Sequence, residues 1–141
     1  MEDNEIIINE SESAAEKLPK IDPTDSEAIA KYIVKVLDSK KARDIKLLHV
    51  EDRTSIADYF VICSATSRTQ IKSLVDEVEY KLGLRGVKAD HTEGRESGWM
   101  LLDFSTVILH VFSTDAREFY KLDRLYADAK ETDISALVTE D

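Results

Sequence analysis

The sequence has few of the features that mark several common classes of protein. It contains a single cysteine, Cys63, which excludes an internal disulfide and favours a reducing compartment. No apolar run approaches the roughly 20 residues that a membrane-spanning helix needs. The first residues are acidic, with neither the basic start nor the long apolar stretch of a secretory signal. Their acidity also argues against a transit peptide. We therefore expect a cytoplasmic protein.

An excess of basic residues is also missing. The net charge is −10, with −6 in residues 1–25 and −4 in residues 127–141, and the segment between them is neutral. Proteins that bind nucleic acid through its phosphates usually carry a basic excess. The composition therefore argues against RNA as the main partner, whereas the acidic ends would be attracted to a basic protein.

The length of 141 residues suits one domain with one hydrophobic core. Residues 1–23 combine acids, serines and two prolines with little apolar content, which predicts a disordered acidic leader. We expect the domain to occupy residues 24–128 and an acidic C-terminal tail to occupy residues 129–141.

Two helices are predicted where a capping box precedes an apolar stripe at helical spacing. They begin at Thr24 and Ser67; the first fades near Ser39, and Gly83 or Gly86 ends the second. A third helix is expected to begin at a cap formed by Thr114 or Asp115 and to continue past residue 126. Five segments rich in β-branched and aromatic residues are predicted strands: 44–50, 59–63, 87–91, 98–104 and 107–112.

Only two residues separate the last two predicted strands, which favours an antiparallel hairpin. Residues 59–63 form a continuous apolar run that is typical of a central strand buried on both faces, and a helix follows it. A parallel crossover and a hairpin together make the sheet mixed. We expect an α/β fold, in the sense of mixed α+β, with a sheet of about five strands flanked by helices.

Residues that could support catalysis or hold a metal do not form a convincing set. The histidines at positions 49, 91 and 110 are far apart and have no cysteine partner nearby, so no metal site is expected. Cys63 lies in an apolar run and is expected in the core. The glycines at 94 and 98 lack the Gly-Lys-Ser/Thr ending of a phosphate loop. The acids at 58, 90, 93, 103 and 115 show no paired spacing, so we expect neither catalysis nor a cofactor.

Aromatic residues are concentrated in the last third of the chain. Along the strand predicted at 98–104, Trp99 and Leu101 share one face and Met100 and Leu102 share the other, so both faces are apolar. One face must pack on helices. The other is either covered by a further helix or exposed as an interface, where tryptophan and tyrosine are common anchors. Spacing alone leaves both alternatives open.

Three ordered blocks of sequence resemble the ribosomal silencing factor/Iojap family. The first is residues 57–67 (ADYFVICSATS). The second combines residues 93–94 with residues 98–104 (GWMLLDF), and the third combines residues 107–112 (VILHVF) with residues 116–122 (AREFYKL). The resemblance covers about residues 26–128.

This resemblance implies a fold similar to nucleotidyltransferases without their catalytic residues, and a protein that is not an enzyme. It implies binding to the large ribosomal subunit at ribosomal protein fourteen, which blocks association with the small subunit and represses translation, with ribosomal RNA close by only incidentally. The contact residues implied are Trp99, Leu101, Asp115 and Tyr120, with Glu93 as a further candidate. No cofactor, metal or membrane is implied.

Two pairs of adjacent residues depart from the family pattern. Ser113-Thr114 stands where members often have His-Pro, and Leu125-Tyr126 stands where many have Leu-Trp. The alternatives to silencing are an RNA-binding ribosome-assembly factor and a nucleotidyltransferase-like enzyme. We expect a monomer or a weak homodimer, because an apolar strand surface could also pair two copies.

Overall fold

The computed structural model describes residues 18–94 and 98–139. Its helices are α1 (Ser26–Ser39), α2 (Arg68–Leu84), α3 (Thr114–Tyr120) and α4 (Leu122–Leu125). Its strands are β1 (Arg43–His49), β2 (Tyr59–Ala65), β3 (His91–Glu93), β4 (Trp99–Asp103), β5 (Val107–Ser113) and β6 (Lys130–Thr132).

The described strands form one mixed sheet in the order β3-β4-β5-β2-β1-β6. The central pair, β2 and β5, is parallel, and every other neighbouring pair is antiparallel. The predicted β4–β5 hairpin is confirmed: Ser105 adopts a left-handed φ of 72° in its turn, and the Asp103 carboxylate accepts a hydrogen bond from the Ser105 amide at 2.7 Å. The mixed α/β fold class is thereby confirmed.

Both long helices pack on one face of this sheet. Their apolar stripes, including Ile33 of α1 and Leu74 of α2, join alternate strand residues such as Val61 and Leu102 in the main hydrophobic core. Cys63 belongs to this core and is fully buried, as predicted, and burial raises the pKa of its thiol to about 12. The thiol therefore stays protonated at neutral pH.

The helix caps agree with the sequence in part. Ser67 caps α2, because its hydroxyl accepts a hydrogen bond from the Gln70 amide at 3.1 Å, as predicted. The cap predicted at Thr24 is wrong by one residue: Asp25 caps α1 by accepting from the Ala28 amide at 3.1 Å. Thr24 instead hydrogen-bonds to the carboxylate of Asp22.

Three predicted elements differ from the structure. The strand predicted at 87–91 is wrong: Val87 is buried without being in a strand, and β3 begins only at His91. The single last helix is also wrong, because Lys121 takes a left-handed φ of 51° and separates α3 from α4. The sixth strand, β6, lies in the segment predicted as a tail, where it pairs with the end of β1.

Packed structure extends beyond residues 24–128 at both ends. Ile21 is buried and its amide donates to the Arg85 carbonyl at 2.8 Å. The side chains of Leu137 and Val138 pack against the main core, and the Thr139 amide donates to the Asp38 carboxylate at 3.1 Å. Residues 1–17 of the predicted leader lie outside the described residues.

Candidate docking surface

The face of the sheet opposite α1 and α2 carries a second apolar cluster. The pairing of β4 with β5 places its residues side by side: Trp99 lies opposite Phe112, and Leu101 lies opposite His110. Trp99 and Leu101 pack against this cluster, whereas Met100 and Leu102 belong to the main core. The predicted division of β4 into two apolar faces is therefore confirmed.

Aromatic rings dominate this second cluster, and we call their set the aromatic face. The indole of Trp99 stacks on Phe112 with ring centroids 5.0 Å apart, and its centroid is 4.8 Å from that of Tyr120. Phe60 meets His110 at 4.8 Å and Tyr126 at 5.0 Å, both edge to face. The aromatic face consists of Phe60, Trp99, His110, Phe112, Tyr120 and Tyr126.

The aromatic face is only partly covered. Leu122 of α4 packs against the second cluster, and Tyr126, the residue after α4, covers part of Phe60. At the other side Trp99 and Leu101 keep part of their surface in solvent, and Tyr120 is 50% exposed. Leu125, the residue before Tyr126, is 72% exposed. Both alternatives for the β4 face thus hold in part, because short helices cover one end and leave the other open.

Three of the predicted site residues converge at this open end. Trp99 and Leu101 lie on one strand, and Tyr120 approaches from the last turn of α3. Asp115 is exposed in the first turn of α3, beside a surface cavity of about 780 Å³ that Lys46, Arg117 and Arg124 also line. Glu93 is exposed on the edge strand β3 opposite Leu101, and its carboxylate lies 3.1 Å from His91 Nε2.

A buried histidine at the centre of the aromatic face was not among the predicted site residues. His110 is 4% exposed, and its Nδ1 accepts a hydrogen bond from the indole Nε1–H of Trp99 at 3.2 Å. Burial lowers the pKa of His110 to about 4, so the ring is neutral at pH 7. The sequence did contain a signal, since a two-residue turn fixes the hairpin register and places position 110 opposite Leu101.

Comparison with known proteins identifies the family. The sequence model of RsfS, "ribosomal silencing factor during starvation", matches residues 23–141. The chain belongs to the RsfS family. RsfS of Bacillus subtilis is 34% identical over 108 residues, which make up 76% of this chain and 92% of the relative. The chloroplastic protein Iojap of Arabidopsis thaliana is 31% identical over 113 residues, 80% of this chain and 48% of the relative.

Solved structures support the same assignment. The crystal structure of a Chromobacterium violaceum protein matches with a TM-score of 0.71 at 30% identity, covering 74% of this chain and 88% of that one. A second, from Bacillus halodurans, matches with a TM-score of 0.67 at 27% identity, covering 76% of this chain and 98% of that one. The relatives from Bacillus subtilis and Halalkalibacterium halodurans are both named as ribosomal silencing factors.

The first departure from the RsfS family pattern, Ser113-Thr114, keeps a helix start in the structure. The cap predicted at Thr114 or Asp115 is wrong by one or two residues, because Ser113 Oγ accepts from the Ala116 amide at 3.1 Å. Gly98 lets β4 begin close by: a Cβ there would lie 2.7 Å from Ser113 Oγ. Ser113 thus joins the start of β4 to the helix that carries Tyr120.

Replacing Ser113 with alanine should lower the free energy of unfolding by about 1 kcal/mol, the usual value of an N-cap hydroxyl. Urea denaturation would measure the loss. Ser73→Ala, at an exposed position inside α2, is the matched control and should cost nothing, since alanine is the better helix former. Equal stability of the two variants would show that Ser113 does not act as a cap.

Other kinds of site receive no support from residues 18–94 and 98–139. No group of three or more His, Cys, Asp or Glu in that part of the chain is placed to hold a metal. Each histidine has its own surroundings: His49 stacks on Tyr59, His91 lies beside Glu93, and His110 is buried. None of the described helices combines the length and apolar character needed to cross a membrane. Residues 95–97 of the glycine-bearing loop lie outside the described residues.

Proposed function

We propose that this protein docks on the large ribosomal subunit at ribosomal protein fourteen, blocks association with the small subunit and so represses translation. The proposal includes action in the cytoplasm, as a monomer or weak homodimer, without catalysis or a cofactor. Membership of the RsfS family supports it. The structural observation that carries it is the open end of the aromatic face, where Trp99 contacts Tyr120 and shares its side of β4 with Leu101.

The chemistry of these residues suits a protein partner. Partly exposed tryptophan and tyrosine rings bury much apolar area with few rotatable bonds, and such residues dominate the energy of protein interfaces. Neighbouring rings already restrain both side chains, because Trp99 stacks on Phe112 and Tyr120 packs against Trp99. A partner that covers this end would therefore gain apolar contact while ordering few side chains.

Two exposed carboxylates are the proposed contacts for a basic partner. Glu93 on β3 lies opposite Leu101, and Asp115 on α3 lies beside the cavity that Lys46, Arg117 and Arg124 also line. Complementary rim charges mainly speed association and set its salt dependence. In this proposal both carboxylates face cationic side chains of the ribosomal protein, while any contact with RNA is incidental.

Reversing the charge at Asp115 should weaken binding to large subunits by about three- to tenfold at low salt, mostly through a slower association rate. Surface-immobilised large subunits and a salt series would measure both rates for Asp115→Lys. Glu79→Lys, an exposed position on α2 behind the sheet, makes the same change in net charge away from the site and should bind normally. An equal loss of affinity in both variants would show that net charge, and not the position of Asp115, causes the effect.

Co-sedimentation with isolated large subunits, isolated small subunits and joined ribosomes tests the proposed function. Docking on the joining face predicts binding to free large subunits only. Binding to joined ribosomes as well would place the contact elsewhere on the subunit. Absence of binding to all three would refute the proposed function.

One observation favours a second role in assembly of the large subunit. The mouse protein named "Mitochondrial assembly of ribosomal large subunit protein 1" is 32% identical over 98 residues, 67% of this chain and 43% of the relative. An assembly factor should leave precursor particles of the large subunit when the gene is deleted. Sucrose gradients of growing cells would reveal them, whereas a silencing factor acting alone should leave subunit maturation intact and change only the fraction of joined ribosomes.

A further inference from the structure

His110 stands out because it places a titratable group inside an otherwise apolar stretch. Strand β5 reads VILHVF over residues 107–112, and all six of these residues are buried. His110 projects to the aromatic face, between the cross-strand neighbours Leu101 on β4 and Ile62 on β2. A valine or leucine would fill a core position of this kind without desolvating an imidazole.

The imidazole is only half satisfied. Nδ1 accepts from the indole of Trp99, so the proton of the neutral ring must sit on Nε2. That Nε2 is buried and has no hydrogen-bond partner among the described residues. A buried donor without a partner lowers stability. The residue therefore costs the domain stability on one side of its ring while it binds Trp99 on the other.

We propose that His110 is a positioning residue for docking, which holds the indole of Trp99 in its binding orientation. The inference rests on the proposed function and adds the residue that prepares its main anchor. Two contacts of different kinds fix the ring: Phe112 stacks on its face at 5.0 Å, and His110 holds its Nε1–H at 3.2 Å. Stacking restrains the plane of the ring, and the hydrogen bond adds a directional restraint on the position of Nε1.

Orientation matters because Trp99 also contacts Tyr120, with centroids 4.8 Å apart. When the indole is held in one orientation, the Tyr120 ring packed against it is also restrained, so the surface offered to the partner keeps one shape. A side chain that is already immobilised in the free protein loses less entropy on binding, and one such side chain is worth roughly three- to tenfold in affinity. Loss of the hydrogen bond should appear as weaker binding without loss of the fold.

Two substitutions separate positioning from packing. His110→Phe keeps a planar ring of similar size and removes the acceptor. His110→Asn is smaller but can place its amide oxygen near the position of Nδ1, so it can still accept from Trp99. Trp99 is the only tryptophan of the chain, so its fluorescence anisotropy and emission maximum report directly on the mobility and surroundings of this indole.

The experiment measures three quantities for the full-length protein and both variants: thermal midpoint, Trp99 fluorescence and affinity for isolated large subunits. We expect His110→Phe to melt at the same temperature or higher, to show lower anisotropy of Trp99, and to bind about three- to tenfold more weakly. We expect His110→Asn to melt lower, because it leaves a cavity, yet to bind more tightly than His110→Phe. A merely structural histidine would give the opposite ranking, with affinity following stability.

Two results would overturn the inference: unchanged Trp99 fluorescence in His110→Phe, or changed fluorescence with unchanged affinity. Failure of the proposed function looks different, because the unsubstituted protein would then not bind large subunits at all. In that case the fluorescence comparison still decides whether His110 orients Trp99.

Discussion

Replacing Trp99 with alanine is expected to weaken binding to large ribosomal subunits by about 30-fold, or about 2 kcal/mol, while the domain stays folded. The indole lies at the centre of the open end, between Phe112 and Tyr120. Truncation removes both the area that a partner would cover and the support of the Tyr120 ring. Equilibrium binding to labelled large subunits would measure the loss.

The fold should survive because Trp99 does not belong to the main core. Its side chain packs against the second cluster and keeps part of its surface in solvent, while Met100 and Leu102 of the same strand belong to the main core. Circular dichroism and a thermal melt would establish that the variant is folded under the conditions of the binding assay. A variant that has unfolded says nothing about docking.

Tyr80→Ala is a suitable control for this substitution. Tyr80 is also an aromatic residue with part of its surface in solvent, at 42% exposure, but it lies on α2, which packs on the opposite face of the sheet. It should bind large subunits as the unsubstituted protein does. If a folded Trp99→Ala protein binds large subunits with normal affinity, the aromatic face is not the contact surface. If Tyr80→Ala loses as much affinity as Trp99→Ala, the effect is not specific to the aromatic face.

Acidification is expected to destabilise the protein through His110 between pH 6.5 and pH 4. Burial lowers the pKa of this histidine from 6.5 to about 4, so the unfolded chain binds a proton in this range that the folded chain does not. Stability rises with pH wherever the unfolded state binds more protons, so the contribution is complete above about pH 6.5 and is lost as pH falls toward 4. Its size is up to roughly 3 kcal/mol.

The matched comparison is His110→Phe, because the other acid-sensitive groups are present in both proteins. Urea denaturation at pH 7 and at pH 4.5 gives the change in unfolding free energy for each. The unsubstituted protein should lose more stability than the variant, and the difference isolates His110, whose pKa is lowered by burial. Equal losses in the two proteins would mean that the imidazole is not held neutral in the fold.

Residues whose behaviour is local were predictable from the sequence. The cap at Ser67 and the stripe of α2 needed only spacing, and the alternation along β4 placed Trp99 and Met100 on opposite faces. The elements that sequence missed depend on distant partners. Strand β6 has the polar sequence Lys-Glu-Thr and becomes a strand only because β1 offers a free edge. The break between α3 and α4 occurs at Lys121, and no glycine at that position indicates it in the sequence.

The candidate site divides in the same way. Sequence indicated the residue types and the strand of the site, and the hairpin brings Trp99 and Leu101 to one face as expected. It did not indicate that α3 carries Tyr120 back onto the indole, since that depends on where Ser113 ends the strand and starts the helix. Nor did it single out His110, because periodicity shows a buried position without showing which atoms meet there.

Subunit joining followed by light scattering tests the central claim most directly. Purified large subunits are incubated with increasing amounts of the protein and then mixed with small subunits, with Trp99→Ala and Tyr80→Ala in parallel. Docking on the joining face predicts that the unsubstituted protein and Tyr80→Ala reduce joining at the same concentration, and that Trp99→Ala needs about 30 times more. Undiminished joining of large subunits that are saturated with the protein would contradict the account.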